Sequence, residues 1–384
     1  MQASTRILHL GALFCLLAPA AAQAQAEEIE ERCTEYLWEL FEAREYPGCS
    51  AALVLPDGEV VAVYAGYADI ESEREMGSAD RLLSGSIGKT YVTAAAHHLV
   101  SVDKLELDAK VSKYLGGSEW YARLANAEAV TVRQLMRHQS GIPRYVFKPG
   151  FFAACLAERD RVWKPEELLA YVLDDEPLHA PGAGWAYSDT NYILVGMIIE
   201  KVSGQAFYDY VQEHLLKPHG LADTVPSDSR RIEKLTQGYV RSAAFPGMPE
   251  RIVEDGVFHF NPQFEWCGGG YASTASDLAR WAHVLYRGEA FEGGYLESML
   301  DGIPVRQGAS TRYGLGVFLR ETELGPLHGH DGVMTGYTAT MGYFPEHGIA
   351  VALMLNTDDA AVLGMPLHGA AQELVRMAVE VVGK

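Results

Sequence analysis

The chain reads as an α/β sandwich. One antiparallel sheet is drawn from both ends of the sequence and flanked by N- and C-terminal helices, and an all-helical lobe is inserted between its halves. Three features point there. Apolar, β-branched runs flank a turn at Pro56-Asp57-Gly58 and again at Pro345-Glu346-His347-Gly348, the pattern of two hairpins. Amphipathic helical periodicity brackets them at Glu27–Glu45 and Leu367–Val382. Between them, helical patterns dominate.

Along the chain, residues 1–26 read first as a secretory leader. Arg6 precedes an apolar run from Ile7 to Ala22, and Ala22-Gln23-Ala24 or Ala24-Gln25-Ala26 suits a signal peptidase. The competing reading is a membrane anchor, but the run is short for a span of about 20 residues. An exported protein, periplasmic or secreted, is the expectation. Residues 27–384 then form the folded unit, with an α/β lobe at about 27–85 and 268–384 and a mainly helical lobe at about 86–267.

Strands are expected at Ser50–Leu55 and Glu59–Tyr67, followed by a helix that carries Ser86 and runs to about Val100. Thr131 is a good N-cap for a helix stopped by Ser140-Gly141-Ile142-Pro143, and Pro165 starts another to about Leu173. Asn191–Val202 is strongly apolar and ends at Gly204; Phe207–Leu216 ends at Pro218 and Gly220. Leu235–Phe264 lacks periodicity and reads as loops and short strands. Ser276–Tyr286 is helical again, with Thr274 or Ser276 as cap. Strands follow near Tyr313–Leu319, Gly336–Phe344 and Ile349–Leu355.

Composition bounds the function. The 384 residues are 48% hydrophobic and 21% charged, with a net charge of −20. Such an acidic surface repels nucleic acid and anionic membranes, and no stretch after the leader is apolar enough to insert stably in a bilayer. Four cysteines follow the leader. Export permits a Cys33–Cys49 bridge, whereas Cys155 and Cys267 read as structural. None has zinc-site spacing.

Three motifs carry chemistry. In Ser86-Ile87-Gly88-Lys89 a hydroxyl and an amine lie one helical turn apart, roughly 5–6 Å between Cβ atoms. A serine needs a base to become a nucleophile, and a lysine serves only when burial and nearby positive charge lower its pKa. Ser101-Val102-Asp103-Lys104 has the same spacing in a solvated segment, so the tetrad alone decides nothing. Next, Tyr187-Ser188-Asp189 follows the Pro181-Gly182 turn. A phenol beside a lysine ammonium can have its pKa lowered and relay protons, although a core tyrosine is the plainer reading. Last, Gly329-His330-Asp331-Gly332 lies next to a strand, where glycines let a ligand approach the backbone. A lone histidine there is also compatible with a structural role. His328-Gly329-His330-Asp331 lacks the partner spacing of a zinc site, and Ser84-Gly85-Ser86-Ile87-Gly88 is not a Gly-x-Ser-x-Gly elbow.

Taken in order, Ser-x-x-Lys, Tyr-Ser-Asp about 100 residues on and His-x-Gly near the last strands resemble the serine β-lactamase and penicillin-binding family. Its relatives include class C β-lactamases, DD-peptidases, D-aminopeptidases and family VIII esterases. His138-Gln139-Ser140-Gly141-Ile142-Pro143, Gly268-Gly269-Gly270 with Ser273-Thr274-Ala275, and Tyr343-Phe344-Pro345-Glu346 extend the likeness over most of the chain.

The resemblance implies a β-lactamase/transpeptidase-like fold with the site in a cleft between the lobes. Ser86 would be acylated, Lys89 and Tyr187 would share acid and base duty, and the N–H groups of Ser86 and Val333 would form an oxyanion hole. His330 would stand where the third motif usually has lysine or histidine. No metal or organic cofactor is implied.

Two departures bear on substrate. Asp189 replaces the commoner asparagine, and Asp331 holds the place of a threonine that would donate to a substrate carboxylate. With Gly332, both are candidate substrate-binding positions. Two anions about 4 Å apart repel by roughly 4 kcal/mol at an effective dielectric of 20. Neutral esters, or amides and short peptides with a free amine, are therefore expected over β-lactams and D-alanyl-D-alanine peptides. If Asp331 turns away or pairs with an arginine, carboxylates remain welcome. A non-catalytic, penicillin-sensor-like binding module is the competing class.

Overall fold

Pro56-Asp57-Gly58 turns the chain between β1 (Gly48–Val54) and β2 (Val60–Asp69), where alternating residues find two buried faces. The computed structural model describes residues 11–245 and 247–383, with side-chain surroundings from Ala22 onward. Residues 1–10, part of the expected leader, lie outside the described residues.

The sheet has nine antiparallel strands. β3 is Arg74–Glu75, β4 Ile303–Pro304, β5 Arg312–Tyr313, β6 Phe318–Thr322, β7 Gly325–Met334, β8 Tyr337–Phe344 and β9 Ile349–Leu355. Their order across the sheet is β3-β2-β1-β9-β8-β7-β6-β5-β4. The two ends of the chain meet at its centre, where Cys49 pairs with Leu355 and Val54 with Ala350.

Both faces of this centre are covered. Ala51, Leu53, Val351 and Leu353 share a core with α1 (Gly11–Arg44) and α5 (Leu367–Val382), to which Ile29, Cys33, Leu37, Leu374 and Val375 contribute. Ala52, Val54, Ala352 and Met354 belong to the opposite core, which holds α4 (Ala275–Tyr286) and the helical lobe. Burial on both faces explains why these strands read as continuous apolar runs. No described helix is long and apolar enough to cross a membrane.

Two helices of the lobe position the site. α2 (Lys89–Ser101) lies against α3 (Asp189–Ser203). Trp281 of α4 is fully buried, stacks on Tyr91 at 4.8 Å and donates from Nε1 to Thr90 Oγ1 at 2.8 Å. That contact ties the start of α2 to the helix lying on the sheet.

Several expectations need correction. α1 begins at Gly11, well before Glu27. Thr131 does cap a helix, in a capping box with Gln134, but only over Val132–Met136. The helix at Pro165 stops at Leu169. The run Tyr313–Leu319 is two strands broken at Gly314–Val317. The Cys33–Cys49 bridge is not formed: all four described cysteines are free, the Cys33 thiol faces Leu374 O, and Cys49 Sγ lies 3.5 Å from Tyr46 Oη.

The largest correction concerns β7. The His330 motif lies within a strand rather than beside one, because Gly325, Pro326, Gly329 and Gly332 dilute the alternation that marks strands.

Candidate active site

Ser86 lies in a single 3₁₀ turn, Gly85–Gly88, and α2 starts only at Lys89. The turn is wedged between two backbones. A Cβ on Gly88 would sit 1.5 Å from Gly269 O, and one on Gly332 would sit 1.9 Å from Ser84 O. Gly332 therefore contacts no substrate through a side chain; it lets β7 close on the Ser86 turn. The same closeness brings two amides together, since Cβ positions on Gly85 and Gly332 fall 2.7 Å from Val333 N and 3.2 Å from Ser86 N.

Lys89 is completely buried. Its Nζ donates to Ser86 Oγ at 2.9 Å, to Asp189 Oδ1 at 2.7 Å and to the Gly268 carbonyl. Three acceptors match the three donors of an ammonium. Burial pulls the Lys89 pKa down, but the Asp189 carboxylate and the Tyr187 hydroxyl together outweigh it and the net displacement is upward. The expectation of a lowered lysine pKa is overturned, because the neighbour is an anion.

Asp189 is corrected with it. Oδ1 accepts from Lys89, and Oδ2 accepts from Arg144 Nε at 2.5 Å. Burial pushes its pKa up, but the two cations overcome this and keep it ionised far below the usual carboxylate range. It is the counter-ion of the site, and its charge is already shared between Lys89 and Arg144.

Tyr187 is held by its surroundings. Its ring lies 4.1 Å from that of His138, centroid to centroid, and the Lys89 ammonium is 4.9 Å from its centre. His138 Nδ1 accepts from Ser188 N–H and Asn191 Nδ2, each at 3.2 Å, which fixes the stacking imidazole. The Tyr187 hydroxyl is buried without a hydrogen-bond partner. Burial and the Asp189 carboxylate raise its pKa by more than Lys89 and Ser86 lower it, so the phenol is protonated at rest, against expectation.

His330 and Asp331 occupy opposite faces of β7, as neighbours in a strand must. His330 Nδ1 lies 2.6 Å from the Asp331 carbonyl, which can only accept, so Nδ1 carries the proton and Nε2 accepts from the Tyr313 hydroxyl at 3.0 Å. Burial pushes its pKa down to about 3. With both nitrogens engaged, His330 braces the aromatic cluster of Tyr313, Phe318 and Tyr187 and offers no free acid or base.

Asp331 points to the α5 side. There it pairs with Arg320, accepts from Thr340 Oγ1 at 2.7 Å and lies 4.0 Å from His368 Nδ1. It is not a substrate-binding residue, and the repulsion expected between two anions in the site does not arise.

Ser86, Asp189, Gly268 and Val333 open onto a cavity of about 390 Å³ walled by Phe147, Phe152, Phe245 and Phe264. Sequence reasoning missed two of its residues. Arg144 follows the Gly141-Ile142-Pro143 stop, and its Nη groups make no bond among the described residues. Glu265 precedes the Gly268-Gly269-Gly270 run. A charged residue next to a chain-stopping motif was the available signal in each case.

Comparison with known proteins speaks to the family and the fold. The Beta-lactamase family model matches residues 28–374. Penicillin-binding protein 4* of Bacillus subtilis is 24% identical over 320 residues, covering 81% of this chain and 68% of its own. A D-aminopeptidase of Brucella anthropi is 26% identical over 348 residues, and the match covers 88% of this chain but 62% of that protein's length. Among solved structures, D-amino acid amidase from Ochrobactrum anthropi SV3, complexed with L-phenylalanine amide, superposes with a TM-score of 0.76 at 26% identity. It covers 92% of this chain and 98% of its own. A D-stereospecific amidohydrolase from Streptomyces sp. gives 0.74 at 27% identity, covering 86% and 97%.

Proposed function

Because the chain belongs to the β-lactamase family and is a serine hydrolase, we propose that it cleaves amides or short peptides of amino acids through an acyl-enzyme on Ser86. The observation that carries this reading is the contact of Ser86 Oγ with the buried Lys89 ammonium, beside the unengaged Tyr187 hydroxyl and at the wall of an apolar cavity. The relatives that act on D-amino acid amides support the substrate class.

The proton inventory assigns the roles. Lys89 uses all three N–H donors, so its ammonium steadies charge and does not take the serine proton. Tyr187 is the remaining group. The reactive form is the fraction of enzyme whose Tyr187 has lost its proton to bulk water: that phenolate accepts the Ser86 proton as Oγ bonds to the scissile carbonyl carbon. The carbonyl oxygen becomes an oxyanion facing the N–H groups of Ser86 and Val333. Collapse of this intermediate breaks the C–N bond, and the Tyr187 proton passes to the departing nitrogen. Water then attacks the ester by the same route, returning Ser86.

Two properties of this reading are testable together. A panel of D- and L-amino acid amides, p-nitrophenyl esters and nitrocefin supports it if amides or esters turn over and Ser86→Ala ends that turnover. Efficient nitrocefin hydrolysis with feeble amide and ester cleavage rejects the substrate class in favour of a second reading, a β-lactamase or D-alanyl-D-alanine carboxypeptidase. Arg144 favours that alternative, since its Nη groups suit a substrate carboxylate. The apolar run behind Arg6 supports export, which cell fractionation and N-terminal sequencing of the mature protein would test.

A further inference from the structure

Among the ionisable groups that line the cavity, Glu265 has no use in the mechanism above and, unlike Asp358 and Tyr145, no close hydrogen-bond partner. Glu265 sits in the turn Pro262–Gly268, is 9% exposed and lines the cavity together with Ser86. The backbone goes out of its way to present it. The next residue, Trp266, has φ +38°, a left-handed conformation unfavourable for a bulky side chain. Gly269 leaves room for the carboxyl, since a Cβ there would lie 2.7 Å from Glu265 Oε1.

A carboxyl buried this deeply normally has a cation or several donors. Glu265 has neither. Its one hydrogen bond among the described residues is from Gly270 N–H to Oε2, at a long 3.4 Å. Lys89 and Arg144 are close enough to influence it, but both are ion-paired to Asp189. The other charged or titratable groups that face it are Tyr145 and Tyr208, neither of which supplies positive charge.

We propose that Glu265 is the substrate's ammonium-binding group: the cavity selects acyl groups that carry a free, protonated amine next to the scissile carbonyl and a large apolar side chain against Phe147, Phe152, Phe245 and Phe264. The inference rests on Ser86 being the nucleophile that receives this acyl group. An ammonium supplies both the missing counter-charge and up to three donors. Without it, burial keeps the carboxyl reluctant to ionise and moves its pKa up to about 7.

The test compares D-phenylalanine p-nitroanilide with its des-amino counterpart, 3-phenylpropionyl p-nitroanilide, in the full-length enzyme. The wild type is expected to favour the free amine by about 10- to 100-fold in kcat/KM, the range for a hydrogen bond to a charged group. In Glu265→Gln that ratio should collapse at least about tenfold, chiefly through KM, with Glu265→Asp in between. A wild-type ratio near one, or an unchanged ratio in Glu265→Gln, would overturn the proposal.

If Glu265→Gln does not fold, inhibition of wild-type ester hydrolysis decides. 2-Phenylethylamine should inhibit at least about tenfold more strongly than 2-phenylethanol, and equal inhibition sinks the idea. Failure of the Ser86 assignment looks different, because Ser86→Ala would then retain cleavage of both anilides.

Discussion

Ser86-Ile87-Gly88-Lys89 and Ser101-Val102-Asp103-Lys104 have the same spacing and sit at opposite ends of one helix, α2. At the C-terminal end, Ser101 Oγ returns its proton to His98 O at 2.8 Å, and both Ser101 and Lys104 are exposed. At the N-terminal end the lysine is completely buried, where the positive end of the helix dipole disfavours a cation. Asp189 and the Gly268 carbonyl make the ammonium tolerable there. The difference teaches that the tetrad acquires chemistry from what closes over it. Spacing brings hydroxyl and amine together, while α3 and the Gly268–Gly270 turn decide their charge state.

The largest effect should separate the two serines. Ser86→Ala is expected to lower kcat by at least about 10⁴-fold, as loss of a nucleophile does, measured on whichever amide or ester proves to be turned over. Retained activity, after contaminating hydrolases are excluded, would erase the distinction between the two ends.

Asp189→Asn sharpens the comparison through pH. The carboxylate stabilises the Lys89 ammonium and opposes the Tyr187 phenolate, so it raises both pKa values. Removing it lowers both, and the reactive phenolate appears at lower pH. The acid limb of kcat/KM should move down by about one pH unit, equivalent to about 1.4 kcal/mol. An upward shift would contradict the charge assignment.

A smaller effect probes the support beneath the active end. Thr90→Val leaves Trp281 Nε1–H without its acceptor and should cost about 1–3 kcal/mol in chemical denaturation. An unchanged midpoint would mean that the tryptophan does not hold α2 in place. The smallest effects belong to the exposed end. Ser101→Ala and Lys104→Ala should each stay within about 0.5 kcal/mol in stability and about twofold in kcat/KM.

Both hairpins, the closing helix Leu367–Val382 and the pairing of Ser86 with Lys89 were legible in the sequence, because each rests on local periodicity or a short motif, whereas Tyr187, about 100 residues on, was joined to them only by the family resemblance. Charge partnerships were not. Asp189 meets Arg144 from 45 residues away, and nothing in the local pattern announces that pair. Asp331 was misplaced for a simpler reason. With β7 recognised as a strand, His330 and Asp331 must face opposite ways, but four residues of weak strand propensity hid the alternation. The Cys33–Cys49 bridge that export would permit is also absent in three dimensions, where the two thiols meet Leu374 O and Tyr46 instead.

The pairing of β1 with β9 joins segments about 300 residues apart in the chain, so β1 must wait for β9 to be made. The strand bearing Val333 lies next to β8, which in turn pairs with β9. A polypeptide still emerging from the ribosome thus has its serine and lysine but neither the sheet nor the strand that completes the pocket around them.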